Sequence, residues 1–272
     1  MPHWEQGKLH LDLLGQLREL AFPYATGTAT PLDMLPMARA ISDGISALSV
    51  EQATEAGFSI SCGPGCAACC RQLIPIAPLE ASALGDLVAA LPEPRQREVR
   101  ARFAISVQRL EQAGLLDAQA PRGGRSLLRT RDRKVETETE TETETDWQNV
   151  SRRYFALQLE CPFLDRETCS IYAERPLICR EYQVVTPAAY CQTLDARTQA
   201  IPWYVRMSEV LTELGDGLTA GRSASLPLVL ALEVAEARAR AFRATVDGET
   251  IAQQLLDAIA EHAEEPPPLR RE

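Results

Sequence analysis

The eight cysteines of this chain fall into two clusters, and the long remainder of its 272 residues has none. The first cluster is the stretch SCGPGCAACC, with the spacing Cys62-x3-Cys66-x2-Cys69-Cys70. The second runs Cys161-x7-Cys169-x9-Cys179-x11-Cys191. Thiols that served only as small buried hydrophobes would be scattered through the core elements. Disulfides, a catalytic thiol and metal ligation are the other readings. The first twenty residues are polar from the start and lack the continuous apolar run of a secretory signal. A cytoplasmic location is therefore expected, where thiols stay reduced and a cysteine framework more often binds metal.

Spacings of two or three residues let one turn aim several sulfurs at a common point, and Gly63, Pro64 and Gly65 supply that turn. Adjacent side chains diverge, so Cys69 and Cys70 are not expected on one mononuclear ion; one belongs to a main site and the other to a second site or to the core. Sulfur-only ligation favours zinc or an iron–sulfur cluster over magnesium or calcium. His3, His10 and His262 lie far from the cysteines in sequence, which disfavours both histidine ligation and a cysteine–histidine nucleophile. Four thiolates around zinc or a [4Fe–4S] core leave net negative charge. Arg71, Arg166, Arg175 and Arg180 are close enough in sequence to offset it.

Composition allows a self-sufficient core, with 45% of residues hydrophobic. The net charge is −10, but the run ETETETETETD at Glu136–Asp146 holds six acids and no base; without it the chain has 28 basic against 32 acidic residues. No basic field remains to attract nucleic acid. The longest apolar run, LPLVLAL at Leu226–Leu232, is too short to span a bilayer. Apolar residues recur at helical spacing almost everywhere else: Leu9, Leu13, Leu17 and Leu20; Met34, Met37, Ile41, Ile45 and Leu48; Leu79, Ala83, Leu87 and Leu91; Val99, Phe103 and Leu110. Val150, Tyr154 and Leu157, then Trp203, Met207, Val210 and Leu214, then Leu228 to Phe242, and finally Ile251, Leu255 and Ile259 continue the pattern.

The fold class predicted is mainly α, a helical domain with irregular cysteine-rich metal-binding loops. Residues 1–57 are expected to form N-terminal helices. Residues 58–191 form the cysteine-cluster domain, interrupted by a solvated low-complexity insertion at 115–147. Residues 192–272 return as helices on the same core.

CGPGCAACC followed far downstream by CPFLDRETCSIYAERPLICREY resembles the YkgJ-type cysteine-cluster proteins, a zinc- or iron-chelating family. The matching positions are Cys62, Cys66, Cys69, Cys70, Cys161, Cys169, Arg175, Pro176, Cys179 and Arg180, within residues about 58–185. The resemblance implies that the seven cysteines hold a metal ion or an iron–sulfur cluster, with Arg175 and Arg180 beside it as cofactor-binding cations. Cys191 lies beyond the matched part.

A flagellin lysine methylase carries a similar motif, which makes a cluster-dependent protein lysine N-methylase one alternative. A radical SAM-like enzyme is a second, because Cys62-x3-Cys66-x2-Cys69 has that cluster spacing. Against it stand Ala68, Cys70 and the lack of the βα repeats a barrel needs. Tyr172, Tyr182, Trp147 and Trp203 read as packing residues. No substrate or protein partner is legible.

Overall fold

The chain is described here from a computed structural model, which covers residues 2–13, 16–117, 119–127, 141–219, 225–264 and 269–270. Its architecture is mainly helical. After an N-terminal β-hairpin come helices α1 (Leu35–Glu55), α2 (Pro78–Ala90), α3 (Glu93–Gln112), α4 (Thr141–Ala156) and α5 (Leu177–Glu181). The C-terminal part adds α6 (Met207–Thr219), α7 (Ala231–Ala237), α8 (Ala239–Phe242) and α9 (Gly248–Glu261).

The N-terminal segment corrects the sequence expectation. Residues 3–13 and 16–26 are an antiparallel pair, β1 (His3–Leu13) and β2 (Gln16–Thr26), with Leu9 opposite Leu20 and Gly7 opposite Phe22. The leucines at 9, 13, 17 and 20 fit a helix, but KLHLDL also alternates apolar and polar at a period of two. The alternation wins. Leu9, Leu11 and Leu20 pack on the core, while Lys8 and His10 face Glu19 across the strands and Leu17 is exposed. A Cβ at residue 7 would lie 2.6 Å from the Phe22 ring, so glycine there lets that buried ring cross β1.

Three of the other helix periodicities hold closely, while Trp203 lies before α6 and the stretch from Leu228 to Phe242 is a 3-10 turn followed by two short helices rather than one helix. Met37, Ile41 and Ile45 are buried along α1, Val99, Phe103 and Leu110 along α3, and Ile251, Leu255 and Ile259 along α9. Asp247 caps α9, accepting the Thr250 N–H at 2.9 Å. In α2 the buried set is Leu79, Ala81, Leu84 and Val88, turned slightly from the predicted stripe.

One core cluster joins the hairpin, α1, α6 and α9. A second joins α2, α3, the end of α4 and Leu226–Val234. α4 begins inside the Glu/Thr repeat, at Thr141, and its Val150 and Tyr154 are buried. Before the repeat, Leu115 and Leu116 are buried and Arg125 pairs with Glu111 and Glu233. Residues 128–140 of the predicted insertion and 265–268 of the C-terminal tail lie outside the described residues.

Candidate metal centre

The first cysteine stretch is a chain of tight turns between α1 and α2. Cys66 N–H donates to the Gly63 carbonyl and Cys70 N–H to the Ala67 carbonyl, each at 3.0 Å. Gly65 takes φ +92°, a value L side chains rarely adopt, which explains the glycine between Pro64 and Cys66. Ala67 and Ala68 are buried and pin the loop to the protein.

The second cysteine segment begins where the first ends: Cys161 N–H donates to the Cys70 carbonyl at 2.8 Å. A small hairpin follows, pairing Leu164 with Cys169 and Asp165 with Thr168. Its two turn residues, Arg166 and Glu167, both have positive φ, +47° and +59°. A two-residue hairpin turn of this kind matches the twist of its strands but usually uses Asn or Gly. Phe163 anchors the hairpin, fully buried and edge-on to Phe103 of α3 at 5.5 Å.

Helix α5 then carries Cys179. Its first N–H, from Leu177, donates to the Glu80 carboxylate at 2.7 Å, and the other oxygen of Glu80 accepts the Ala77 N–H at 3.0 Å. One buried carboxylate thus satisfies the N-termini of α2 and α5 together.

These pieces enclose a cavity of about 550 Å³. All seven cysteines singled out by the sequence line it: Cys62, Cys66, Cys69, Cys70, Cys161, Cys169 and Cys179. Cys191 is buried nearby and packs with Cys62, Cys66 and Cys69. All eight are free thiols. The other walls are largely apolar and aromatic, and include Ile74, Phe163, Tyr172, Tyr182, Trp203 and Leu228. Among the described residues, none of the three histidines lines the cavity.

The predicted arginines separate. Arg175 lines the cavity and is the one charged side chain among the described lining residues. It lies over the Tyr172 ring at 3.8 Å and donates to the Cys179 carbonyl at 3.3 Å. Arg180 is not a lining residue. It is buried and donates to both Asp43 oxygens, at 2.9 and 2.7 Å, and to the Ala173 and Arg175 carbonyls, so it ties α5 to α1. Arg71 spans Glu160 and Glu167, while Arg166 is exposed beside Asp165.

Burial pushes the Cys161 thiol up to about 12 and Cys191 up to about 11, and raises Cys179 well above the usual thiol range. Burial also raises Cys62 and Cys169; at Cys169 the Ile171 N–H and the Arg175 guanidinium pull the other way. Cys69 is raised chiefly by its hydrogen bond with Cys70. A catalytic thiol needs the opposite shift. Burial favours the neutral form of Cys62, Cys161, Cys169, Cys179 and Cys191, and a bound cation is what would convert them to ligating thiolates.

The donor chemistry therefore fits a thiophilic metal: sulfur only, largely apolar and aromatic walls, one guanidinium on the lining. Among the described residues, no three His, Cys, Asp or Glu side chains already meet at metal-ligand geometry around one point.

Residues 124–203 match the family model whose description reads "CxxCxxCC: Putative zinc- or iron-chelating domain". That is the cysteine-cluster family the motifs resemble. The match supports metal chelation as the domain's role. The CxxCxxCC segment contains Cys161, Cys169, Cys179 and Cys191; it begins after the Cys62–Cys70 loop and extends past the span of the resemblance to take in Cys191. No curated protein and no solved structure gives a significant match.

Sequence reading took Tyr182 and Trp203 for packing residues and passed over Gln72 and Glu80. Tyr182 and Trp203 line the cavity, Gln72 joins it to Cys191, and Glu80 orients the start of α5. Gln72 and Tyr182 had a signal, their positions two residues after Cys70 and three after Cys179. Glu80 and Trp203 reach the site through contacts distant in sequence.

Proposed function

We propose that this chain is a thiolate metal-binding protein whose Cys62–Cys70 and Cys161–Cys179 segments together hold an iron–sulfur cluster or zinc. One observation carries the reading: seven cysteines from segments about 90 residues apart line a single cavity. Zinc there would supply Lewis acidity or structural cross-linking, and a cluster one-electron chemistry. The chain's own contribution is to surround the sulfurs with largely apolar walls, to place Arg175 beside Cys169, and to fix the loops through Glu80, Arg71 and the Cys161–Cys70 backbone bond.

The cavity's size favours a second reading, a cluster-dependent enzyme. At about 550 Å³, with aromatic walls, it lies in the range of small-molecule sites and exceeds what one ion wrapped by four sulfurs requires.

Anaerobic purification followed by metal and acid-labile sulfide analysis tests both readings. Iron with sulfide establishes a cluster and keeps the enzyme reading open. Zinc without sulfide establishes the binding module. A metal-free chain that is stably folded overturns the proposal.

A further inference from the structure

The two strands of the N-terminal hairpin end in unlike edges. β1 and β2 pair residue for residue, from His3 opposite Thr26 to Leu13 opposite Gln16, with no bulge. α1 and α9 pack against β2, and Pro23 breaks its row of backbone donors. β1 holds no proline, and among the described residues no strand pairs with its other side.

The register shows which backbone groups face that open side. Opposite residues of an antiparallel pair either exchange two hydrogen bonds or point their N–H and C=O groups away from each other. Pro23 has no N–H and stands opposite Gln6, so this pair is of the second kind. The Ala25 carbonyl, opposite Trp4, agrees. A Cβ at residue 248 would lie 2.5 Å from its oxygen, which is therefore turned toward the start of α9 and away from β1. Alternation then puts the N–H and C=O groups of Trp4, Gln6, Lys8 and His10 on the open edge. All four residues are exposed, and their backbone groups make no other backbone hydrogen bond among the described residues.

We propose that this edge is a homodimer contact: β1 of a second copy adds antiparallel to β1, and the two hairpins become one four-stranded sheet. Self-complementarity selects the occupant. A two-fold axis through Gly7 sets Gln6 opposite Lys8 of the second copy, Trp4 opposite its His10 and Glu5 opposite its Leu9, and the same pairs recur on the other side of the axis. Every outward group from Trp4 to His10 is then used, and no like charges stand directly opposite. Gly7, without a side chain, meets its own copy at the close, non-hydrogen-bonded position. Edge pairing buries little side-chain surface, and a net charge of −10 opposes association, so the dimer is weak and forms at micromolar concentrations or above.

Sedimentation equilibrium of the full chain, kept reduced so that no disulfide joins two copies, tests this from micromolar to millimolar concentration. A reversible monomer–dimer equilibrium is expected. Gln6→Glu puts a carboxylate opposite Lys8 twice in the dimer and should tighten it by about two- to tenfold. Gln6→Lys should weaken it by a similar factor, and both effects should shrink as salt rises. Lys8→Pro removes an outward N–H but no hydrogen bond between β1 and β2, so it should leave a monomer.

Circular dichroism checks that the variants fold; if Lys8→Pro does not, the two Gln6 variants decide. A monomer at every concentration overturns the proposal and leaves the edge to a different chain. A dimer that Gln6→Glu and Gln6→Lys leave unchanged, or that a folded Lys8→Pro keeps, also overturns it and assigns the contact to another surface.

Discussion

Arg71, the residue after Cys70, makes a two-pronged contact with Glu167, two residues before Cys169: Nη2 donates to Oε1 at 2.7 Å and Nη1 to Oε2 at 3.1 Å. The same Nη2 donates to Glu160, the neighbour of Cys161, at 2.7 Å. One guanidinium therefore fastens the first cysteine loop to both ends of the hairpin. It touches no sulfur, so it is a positioning residue. Arg71→Ala should loosen metal binding by about tenfold, the lower end for residues that orient ligands. The pair is largely exposed, so the stability of the metal-free chain should fall by less than about 1 kcal/mol. Chelator competition at low and high salt measures this. The unmodified chain should lose affinity as salt rises while the variant changes less; equal affinities for the two chains would remove Arg71 from the site.

Ligand removal should show in stability as well as in metal content. Cys66→Ser and Cys161→Ser each open the set that brings two distant segments together. Each should lower the metal content and reduce Tm by about 5–10 °C, which corresponds to ~2–3 kcal/mol for a chain of this size. Treating the unmodified chain with a chelator should give a similar drop and abolish the difference between it and the variants. Unchanged metal content with unchanged Tm would refute the ligand assignments.

Glu80 lies beneath the site and accepts N–H donors from two helices. Glu80→Ala strips a partner from two buried N–H groups and should cost about 2–4 kcal/mol. It should also weaken metal binding, because α5 carries Cys179. Glu80→Gln keeps an acceptor oxygen for one of the two donors and should fall between. Denaturant unfolding of the metal-free variants ranks them; an alanine variant as stable as the glutamine variant would contradict this role.

The cap of α9 supplies a pH test remote from the cysteines. The Thr250 hydroxyl, followed by the Thr250 N–H, holds the Asp247 carboxyl below its usual value of 3.8. A depressed carboxyl stabilises the fold above that value, and the contribution is lost as pH falls through its folded-state pKa. Asp247→Ala should therefore lower Tm at pH 7. The gap between variant and unmodified chain should narrow as the pH drops below about 3.8. A gap of constant size from pH 7 to pH 2.5 would show that charge at this cap does not matter.

Much of this was legible in the sequence where the signal is local. The faces of α1, α3 and α9 follow from apolar spacing alone, and the seven cavity-lining cysteines follow from two short motifs. The hairpin of β1 and β2 misled because leucines at 9, 13, 17 and 20 satisfy a helical period while their intervening residues satisfy a strand period. Packing of β2 against α1 and α9 decided between them, and that contact is long-range. Arg180 shows the same limit. It sits next to Cys179 in sequence, yet its guanidinium is committed to Asp43, 137 residues away. Cys191 erred in the opposite direction, remote by spacing and brought among the thiols by Gln72 and Tyr182.

The first cysteine loop, held at its start by the Ser61 N–H on the Val184 carbonyl and at its end by the Cys161 N–H on the Cys70 carbonyl, also imposes an order on the life of the nascent chain. Cys62 to Cys70 leave the ribosome well before the residues that hold either end of the loop. At ~5–20 residues per second, Cys161 follows Cys70 by roughly 5–20 s, and Val184 and Cys191 come later still. Throughout that interval four closely spaced thiols have none of their downstream partners, open to oxidation or to capture of the wrong metal. On the proposed metal-binding reading, loading that needs both segments is therefore a late event in synthesis.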